Sequence, residues 1–268
     1  MSKPTILLIP GSFSLPDPYD PVVDAVRAGG YEIRVLHLPS VGISAGHGRE
    51  GAPPSMYDDA AFVAKEAEKL ADEGKKIILI GHSYGGIPVT QGAEGLAVKG
   101  RQTQGKAGGI VTLAYMTALV PGVGQSAVDI IADVPQEHQV DLKVDENGWM
   151  YHDPPSATAA IIMPKIPLEE SEAVVKGFAK HSSVSFTDKL TYAGYKHIPV
   201  SYLFCEEDIC IPTKIQQAEI DMIEKESGTK VHVTRISADH CPNLTAKQQT
   251  IDWILDTARR SQNSQAEA

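Results

Sequence analysis

Cysteine is rare in this sequence and long hydrophobic runs are missing, and each shortage excludes a class of protein. Of the 268 residues three are cysteines, Cys205, Cys210 and Cys241, and no pair of them has CxxC spacing. An odd number without that spacing argues against a disulfide framework and against a zinc ribbon. The longest apolar runs, 5–9 and 77–80, are far shorter than the roughly 20 residues that cross a bilayer. We therefore expect a cytoplasmic protein that does not associate with a membrane.

Basic residues are outnumbered as well. Lysine and arginine total 24 against 34 aspartates and glutamates, which gives a net charge of −10. A surface of that sign repels phosphate groups, so we expect no binding to nucleic acid. The sequence contains no HExxH motif and no cluster of cysteine and histidine, so it predicts no metal site. A small-molecule substrate is the expected partner, and the oligomeric state stays open, with a homodimer as one option.

Six short apolar segments predict buried β-strands. They are almost continuous runs of isoleucine, leucine and valine, which is typical of parallel strands covered on both faces. Helical patterns separate most of them, and the clearest begins with a capping box at Ser55 and Asp58. Alternating strands and helices indicate an α/β fold with a mainly parallel, six-stranded sheet and helices on both faces. The predicted strands are 5–9, 32–38, 76–80, 109–115, 200–205 and 231–236.

One long segment interrupts this alternation. Residues from about 120 to 197 separate the fourth predicted strand from the fifth, and they contain a turn-forming Asn147-Gly148 pair and several prolines. The segment is too long for a simple crossover, and insertions of this kind usually carry binding surface. We therefore predict a single domain over 1–268, with an inserted cap at about 120–197 and a frayed, polar tail at 261–268.

The strongest functional signal is the segment 81–86, GHSYGG, which directly follows the third predicted strand. It matches G-x-S-x-G, the nucleophile elbow, in which a strand turns sharply into a helix and carries a serine at the turn. Glycines are needed two residues either side of that serine, because side chains there would collide. The turn exposes the hydroxyl of Ser83 beside the positive end of the following helix. We therefore predict Ser83 as a nucleophile.

A serine hydroxyl is a weak nucleophile and needs a base, which in turn needs an orienting acid. In the elbow fold these residues follow the serine in the order acid, then histidine. His240 comes after the last predicted strand, whereas His232 lies within it, so His240 is the predicted base. The acid should follow the preceding strand, where Glu206, Glu207 and Asp208 offer three carboxylates. We choose Asp208 and expect the two glutamates to be solvated or to be only neighbours of the site.

Acyl transfer also needs two backbone N–H groups aimed at the negative charge that develops on the substrate oxygen. One should come from Tyr84, the residue after the nucleophile. The other should come from the loop after the first strand, where Gly11 permits a close backbone approach and Ser12 is the predicted donor. Ser12 and Tyr84 therefore complete the predicted site as its oxyanion hole.

Together these motifs resemble the α/β-hydrolase superfamily, and more narrowly its branch of plant methylesterases and hydroxynitrile lyases with bacterial and fungal relatives. The similarity covers roughly residues 3–255. Its specific stretches are ILLIPGS at 6–12, GHSYGG at 81–86, FTDKLTY at 186–192, CEEDICIP at 205–212 and ADH at 238–240. In that branch the nucleophile, acid and base fall on Ser83, Asp208 and His240, and the oxyanion donors fall on Ser12 and Tyr84. The resemblance implies hydrolysis of small esters without fixing the substrate.

Two positions depart from that branch. The family usually has His-Gly in the first loop, whereas this chain has Pro10-Gly11, which keeps the backbone donor but puts the shape of the oxyanion hole in question. Hydroxynitrile lyases place a lysine directly after the catalytic histidine to handle cyanide, and this chain has Cys241 there. Cleavage of cyanohydrins is therefore not expected.

We predict a serine hydrolase that cleaves a small, apolar ester, lactone or thioester through an acyl-enzyme on Ser83. One alternative uses the same residues for a non-hydrolytic reaction, such as C–C cleavage, acyl transfer or cyclisation in specialised metabolism. Another is a receptor that reuses the fold to bind a ligand, although a receptor has less need of all three residues. The GHGREG segment at 46–51 matches G-x-G-x-x-G, but it does not directly follow a strand. We therefore expect no dinucleotide and no other cofactor.

Overall fold

The strands of the protein form two sheets. The computed structural model describes residues 3–263, and its strands in chain order are β1 (Thr5–Ile9), β2 (Ile33–Val35), β3 (Lys76–His82), β4 (Gly109–Met116), β5 (Leu142–Val144), β6 (Trp149–His152), β7 (His181–Ser182), β8 (Val200–Cys205) and β9 (His232–Ile236). Six of them lie side by side in the order β2-β1-β3-β4-β8-β9 and pair in parallel. β5, β6 and β7 form a separate antiparallel sheet. The predicted six-stranded parallel sheet is confirmed, although the edge strand β2 is shorter than the predicted 32–38.

Helices cover both faces of the central sheet. In chain order they are α1 (Asp20–Ala28), α2 (Met56–Asp72), α3 (Gly86–Gln91), α4 (Val98–Thr103), α5 (Ala127–Ile131), α6 (Pro155–Ile162), α7 (Leu168–Lys176), α8 (Val184–Thr187), α9 (Thr213–Ser227), α10 (Pro242–Thr245) and α11 (Lys247–Asn263). α1 and α11 share a core with Ile6 and Leu8 of β1, whereas α2, α3 and α9 share one with Leu7 and Ile9. Side chains of a strand alternate between its faces and both faces are covered, which is why residues 6–9 of β1 are all apolar. None of the helices in the described part of the chain is long and apolar enough to cross a membrane.

The residues between β4 and β8 contain α5 to α8 and the antiparallel sheet, and we call 120–197 the insert. Its β5–β6 hairpin turns at Gly148, which has a φ of +84°. β4 and β8 are paired neighbours in the central sheet, so the chain leaves and re-enters the sheet at adjacent positions. Backbone hydrogen bonds join the insert to the loop after β2, for example from Ser182 N–H to Ser40 O at 2.8 Å. The boundaries of a cap at about 120–197 stay a prediction.

The C-terminus corrects one prediction. The sequence predicts a frayed tail over 261–268, but α11 continues through Asn263. Ser261 is buried, and its hydroxyl lies 2.7 Å from that of Thr112 on β4. The sequence could not show this hydrogen bond, because Ser261 and Thr112 are brought together only by the fold. The prediction is therefore wrong for 261–263, and 264–268 lie outside the described residues.

Leu8 tests the core on the α1 and α11 face of the sheet. Its side chain is 0% exposed. Leu8→Ala removes buried methyl groups and leaves a cavity, so we expect the free energy of unfolding to fall by about 2–5 kcal/mol. Leu168→Ala is the matched control: Leu168 is 52% exposed. Its truncation should change stability by less than about 0.5 kcal/mol. Urea unfolding measures both variants, and equal losses would contradict this description of the core.

Candidate active site

Ser83 lies at the sharp turn between β3 and α3, in the short 3-10 helix Ser83–Gly85. Its φ is +51°, in the left-handed region that residues other than glycine seldom adopt. Strain of this kind clusters at functional sites. The Ser83 carbonyl accepts a hydrogen bond from Leu119 N–H at 2.9 Å, which ties the turn to the loop after the neighbouring strand β4.

Two glycines make this turn sterically feasible. A Cβ on Gly81 would lie 2.6 Å from the carbonyl oxygen of Gly85, and a Cβ on Gly85 would lie 2.5 Å from the carbonyl oxygen of Ile9 in β1. Both obstacles are backbone atoms, which cannot rotate away as a side chain could. The structure therefore agrees with the expectation from the sequence that side chains at these two positions would collide with the turn.

The structure brings Ser83, Asp208 and His240 together. Asp208 follows β8 and His240 follows β9, so both loops lie at the same edge of the parallel sheet as the turn after β3. His240 Nε2 lies 2.9 Å from Ser83 Oγ, and His240 Nδ1 lies 2.7 Å from Asp208 Oδ2. With the ring proton on Nδ1 and donated to the carboxylate, Nε2 is free to accept the proton of the serine.

Four donors converge on the buried carboxylate of Asp208. The backbone N–H groups of Cys210 and Ile211 donate to Oδ1 at 2.8 and 2.9 Å. The Thr117 hydroxyl donates to Oδ2, which also accepts from His240. Thr117 follows β4 and has a φ of +35°, so it is a second strained residue at this edge. The sequence did not indicate Thr117, because a threonine after a buried strand belongs to no motif.

Two opposing effects set the pKa of His240. Burial of the ring disfavours the charged imidazolium and by itself lowers the pKa. The charge and hydrogen bond of Asp208, together with those of the neighbouring Cys210, raise the pKa by more, so that it lies well above the ordinary 6.5. The carboxylate therefore stabilises the protonated ring, which is the form that a general base adopts once it has taken a proton.

A second histidine joins three loops of the site. Gly11 N–H donates to Tyr19 Oη at 3.1 Å, and the Tyr19 hydroxyl donates to His82 Nδ1 at 2.6 Å. His82 Nε2 then donates to the carbonyl oxygen of His240 at 2.7 Å. Burial lowers the pKa of His82 to about 3, so the ring stays neutral and this order of donors is kept. The loops after β1, β3 and β9 are thereby fixed relative to one another.

The loop after β1 leaves one of three successive backbone amides unpaired. The Gly11 amide is occupied as described, and the Phe13 amide donates to His181 Nδ1 at 3.2 Å. Within residues 3–263 no acceptor pairs with the amide of Ser12, nor with that of Tyr84. These are the two donors predicted from the sequence, and both residues line the same cavity as the elbow serine. Both N–H groups are therefore available to a ligand.

Ser83 and His240 line a cavity that opens to solvent. Its wall is mostly apolar, and the insert supplies part of it, including Val134, Leu142 and Ile162. The described residues that line it include no lysine, arginine, aspartate or glutamate. A charged ligand would lose its hydration there without gaining a charged partner, so the cavity favours a neutral one.

The other sequence candidates have different surroundings. Glu206 and Glu207 are exposed, and Glu207 forms an ion pair with Lys165 at 2.8 Å. His232 is exposed on β9. The glycine-rich segment 46–51 is a loop that follows no strand directly. In the part of the chain that the structure describes, no group of three or more His, Cys, Asp or Glu residues is placed to hold a metal ion.

Comparison with known proteins decides the family. A model of the alpha/beta hydrolase family matches residues 6–253, which include the elbow, the acid loop and the histidine loop. The chain belongs to the alpha/beta hydrolase family. The resemblance inferred from the motifs is thereby confirmed at the level of the family.

Relatives of this alpha/beta hydrolase match it along most of their length. It is 30% identical over 259 residues to the probable hydrolase R7 of Phoma sp., with 96% of this chain and 99% of the relative covered. It is 22% identical over 252 residues to methylesterase 1 of Arabidopsis thaliana, with 89% and 88% covered, so the similarity to plant methylesterases is also confirmed. A pyrethroid hydrolase from Sphingobium faniae has the same fold, with a TM-score of 0.72 at 22% identity over 96% of this chain and 98% of that one. The protein is an esterase-like enzyme of this family.

Gly81 tests the geometry of the elbow in this alpha/beta hydrolase. Gly81→Ala forces a Cβ against the backbone of the turn, so we expect a loss of about 1–3 kcal/mol in the free energy of unfolding. Gly100→Ala is the matched control, because a Cβ at Gly100 in α4 meets no atom within 4 Å. Alanine also favours a helix over glycine, so this control should be neutral or slightly stabilising. Thermal unfolding measures both, and a Gly81→Ala variant as stable as the control would refute the steric argument.

Proposed function

We propose that this protein is a serine hydrolase that cleaves a small, uncharged ester, lactone or thioester through an acyl-enzyme on Ser83. The observation that carries the proposal is the hydrogen-bond chain from Ser83 Oγ through His240 to Asp208, beside an apolar cavity. A serine hydroxyl alone reacts poorly, and this chain supplies both the base and the group that orients the base.

In the first half of the reaction, His240 Nε2 takes the hydroxyl proton while Ser83 Oγ attacks the acyl carbon. The carbonyl oxygen becomes negatively charged and accepts hydrogen bonds from the amides of Ser12 and Tyr84. Asp208 keeps the ring in the required tautomer and stabilises the imidazolium. His240 then gives its proton to the departing oxygen or sulfur, and the bond between that atom and the acyl carbon breaks.

In the second half, water replaces the leaving group. His240, neutral again, takes a proton from the water as its oxygen attacks the acyl carbon, and the same two amides hold the oxyanion. The proton then passes to Ser83 Oγ as the ester bond to the enzyme breaks. A carboxylic acid is released and Ser83 is restored.

The wall of the cavity supports a neutral, apolar substrate. It combines aromatic and aliphatic side chains, among them Phe13, Phe178 and Leu244, and the described lining carries no formal charge of either sign outside the histidines. Relatives named pyrethroid hydrolase, polyneuridine aldehyde esterase and methylesterase 1 agree with this chemistry. We therefore propose a small-molecule ester as the partner, with no resident cofactor.

Labelling with a fluorophosphonate tests the nucleophile. We expect one adduct per chain in the natural protein, located on Ser83, because the reagent phosphonylates an activated serine. Ser83→Ala should take up none, and Ser44→Ala is the control, since Ser44 is an exposed loop serine. Intact mass measures all three. Labelling that survives Ser83→Ala would refute the proposal.

The pKa of His240 gives a second prediction. A protonated ring cannot act as base, and its pKa lies well above 6.5, so kcat/KM should rise through neutral pH along an acid limb centred above 6.5. Asp208→Asn removes the charge that raises the pKa, so the pKa should fall while kcat drops by about 10³–10⁴-fold. NMR titration of the His240 ring and the pH–rate profile measure the two effects. A flat rate from about pH 5 to 8 would exclude His240 as the base.

A further inference from the structure

Phe13 holds the loop after β1 in a strained conformation. Its φ is +64°, and the residue is not a glycine. Such a conformation persists only where the surroundings hold it in place. Ser12 lies between Gly11 and Phe13, so the direction of its unpaired N–H depends on how these two neighbours are anchored. Tyr19 anchors the first of them.

The insert anchors Phe13, the second of these neighbours. His181 Nδ1 accepts a hydrogen bond from Phe13 N–H at 3.2 Å, and Ala179 N–H donates to the Phe13 carbonyl at 2.9 Å. Both polar groups of the strained residue's backbone are therefore bonded to one short stretch of the insert. Of these two bonds, the one to the Phe13 N–H is made by a side chain, that of His181, and the other by the backbone of Ala179.

A hydrogen-bond chain fixes which nitrogen of His181 accepts. Nε2 lies 3.0 Å from Ser185 Oγ, and the Ser185 hydroxyl donates its proton to the carbonyl of Ser182 at 2.9 Å. Because that proton is already used, Nε2 must carry the ring hydrogen and donate to Ser185. Nδ1 is then unprotonated and can accept from Phe13. Burial keeps the ring neutral, with the pKa of His181 lowered to about 3.

The same ring also touches the residue that carries the other unpaired amide. The rings of His181 and Tyr84 meet edge to face, with centroids 4.7 Å apart and planes at 77°. Tyr84 stacks on Phe186 of the insert at 5.2 Å and donates its hydroxyl to Asp59 at 2.8 Å. His181 thus contacts both sides of the predicted oxyanion hole.

We propose that His181 is a positioning residue for the oxyanion hole, which aims the Ser12 amide by holding Phe13 and packs against Tyr84. The inference rests on the proposed function, since these amides matter only where an acyl carbonyl is attacked. His181 is 0% exposed and is absent from the described lining of the cavity, so it acts through its neighbours. Its loss should therefore affect the transition state more than the binding of substrate.

Asparagine and glutamine at this position separate the two ring nitrogens. The Oδ1 of asparagine lies where Nδ1 does and can accept from Phe13, whereas the terminal amide of glutamine reaches toward the position of Nε2. With p-nitrophenyl butyrate, we expect His181→Gln to lower kcat by about 10–100-fold, as for a misplaced oxyanion donor, with KM changed by less than about threefold. His181→Asn should keep kcat within about fivefold of the natural protein.

Two outcomes would overturn the proposal. One is an unchanged kcat in a folded His181→Gln variant, and the other is an equal loss of kcat in the Asn and Gln variants. If the Gln variant does not fold, Ser185→Ala decides, because it removes the hydroxyl that fixes the tautomer and leaves the His181 ring in the chain. It should lower kcat at unchanged KM, and an unchanged kcat would overturn the proposal.

A control and a label separate this inference from the proposed function. His37→Asn is the control, because His37 is a half-buried histidine that also bonds a backbone group, the Gly42 carbonyl at 2.8 Å, and it should keep the natural kcat. Fluorophosphonate labelling is measured in every variant. If Ser83 is labelled normally and the kcat of His181→Gln is unaltered, the role of His181 is overturned while the proposed function stands. Labelling at another residue in the natural protein overturns the proposed function and this role with it.

Discussion

The site depends on a buried imidazole that must contact a carboxylate on one side and a hydroxyl on the other. Distances of 2.7 and 2.9 Å leave little tolerance, and the three residues are distant in the chain. The parallel sheet provides the necessary rigidity, because β3, β8 and β9 each end at the same edge just before one of these residues. Apolar cores on both faces hold the strands in register.

In the part of the chain that the structure describes, the strained non-glycine residues all lie at that edge. Within residues 3–263 the non-glycine residues with positive φ are Phe13, Ser83 and Thr117. Ser83 is the candidate nucleophile, Thr117 donates a hydrogen bond to the candidate acid Asp208, and Phe13 is next to Ser12, whose amide is unpaired. Strained residues cost stability, so the surrounding hydrogen bonds must hold all three. The neutral buried His181 provides one of these bonds, to Phe13, and the neutral buried His82 ties the surrounding loops together through Tyr19 and the His240 carbonyl.

Local patterns in the sequence were enough to predict the strands, the elbow and the order of the site residues along the chain. Continuous apolar runs predict buried parallel strands, and the carboxyl ends of such strands limit where an acid and a base can lie. Thr117 and His181 could not be found in this way, because each acts through one hydrogen bond to a residue far away in the chain. Ser261 shows the same limit, since a polar residue near a terminus resembles a solvated tail until its partner Thr112 is known.

The uncharged wall of the cavity also has a consequence for the end of the catalytic cycle. Ester hydrolysis leaves an acid that ionises at neutral pH. Apart from His240 and the unpaired amides of Ser12 and Tyr84, the described lining offers this anion no lysine or arginine, so away from those groups the anion would be poorly solvated. The surface that admits the neutral ester therefore rejects its ionised product. On the proposed function, we therefore expect the apolar wall to favour release of the ionised product without any moving part.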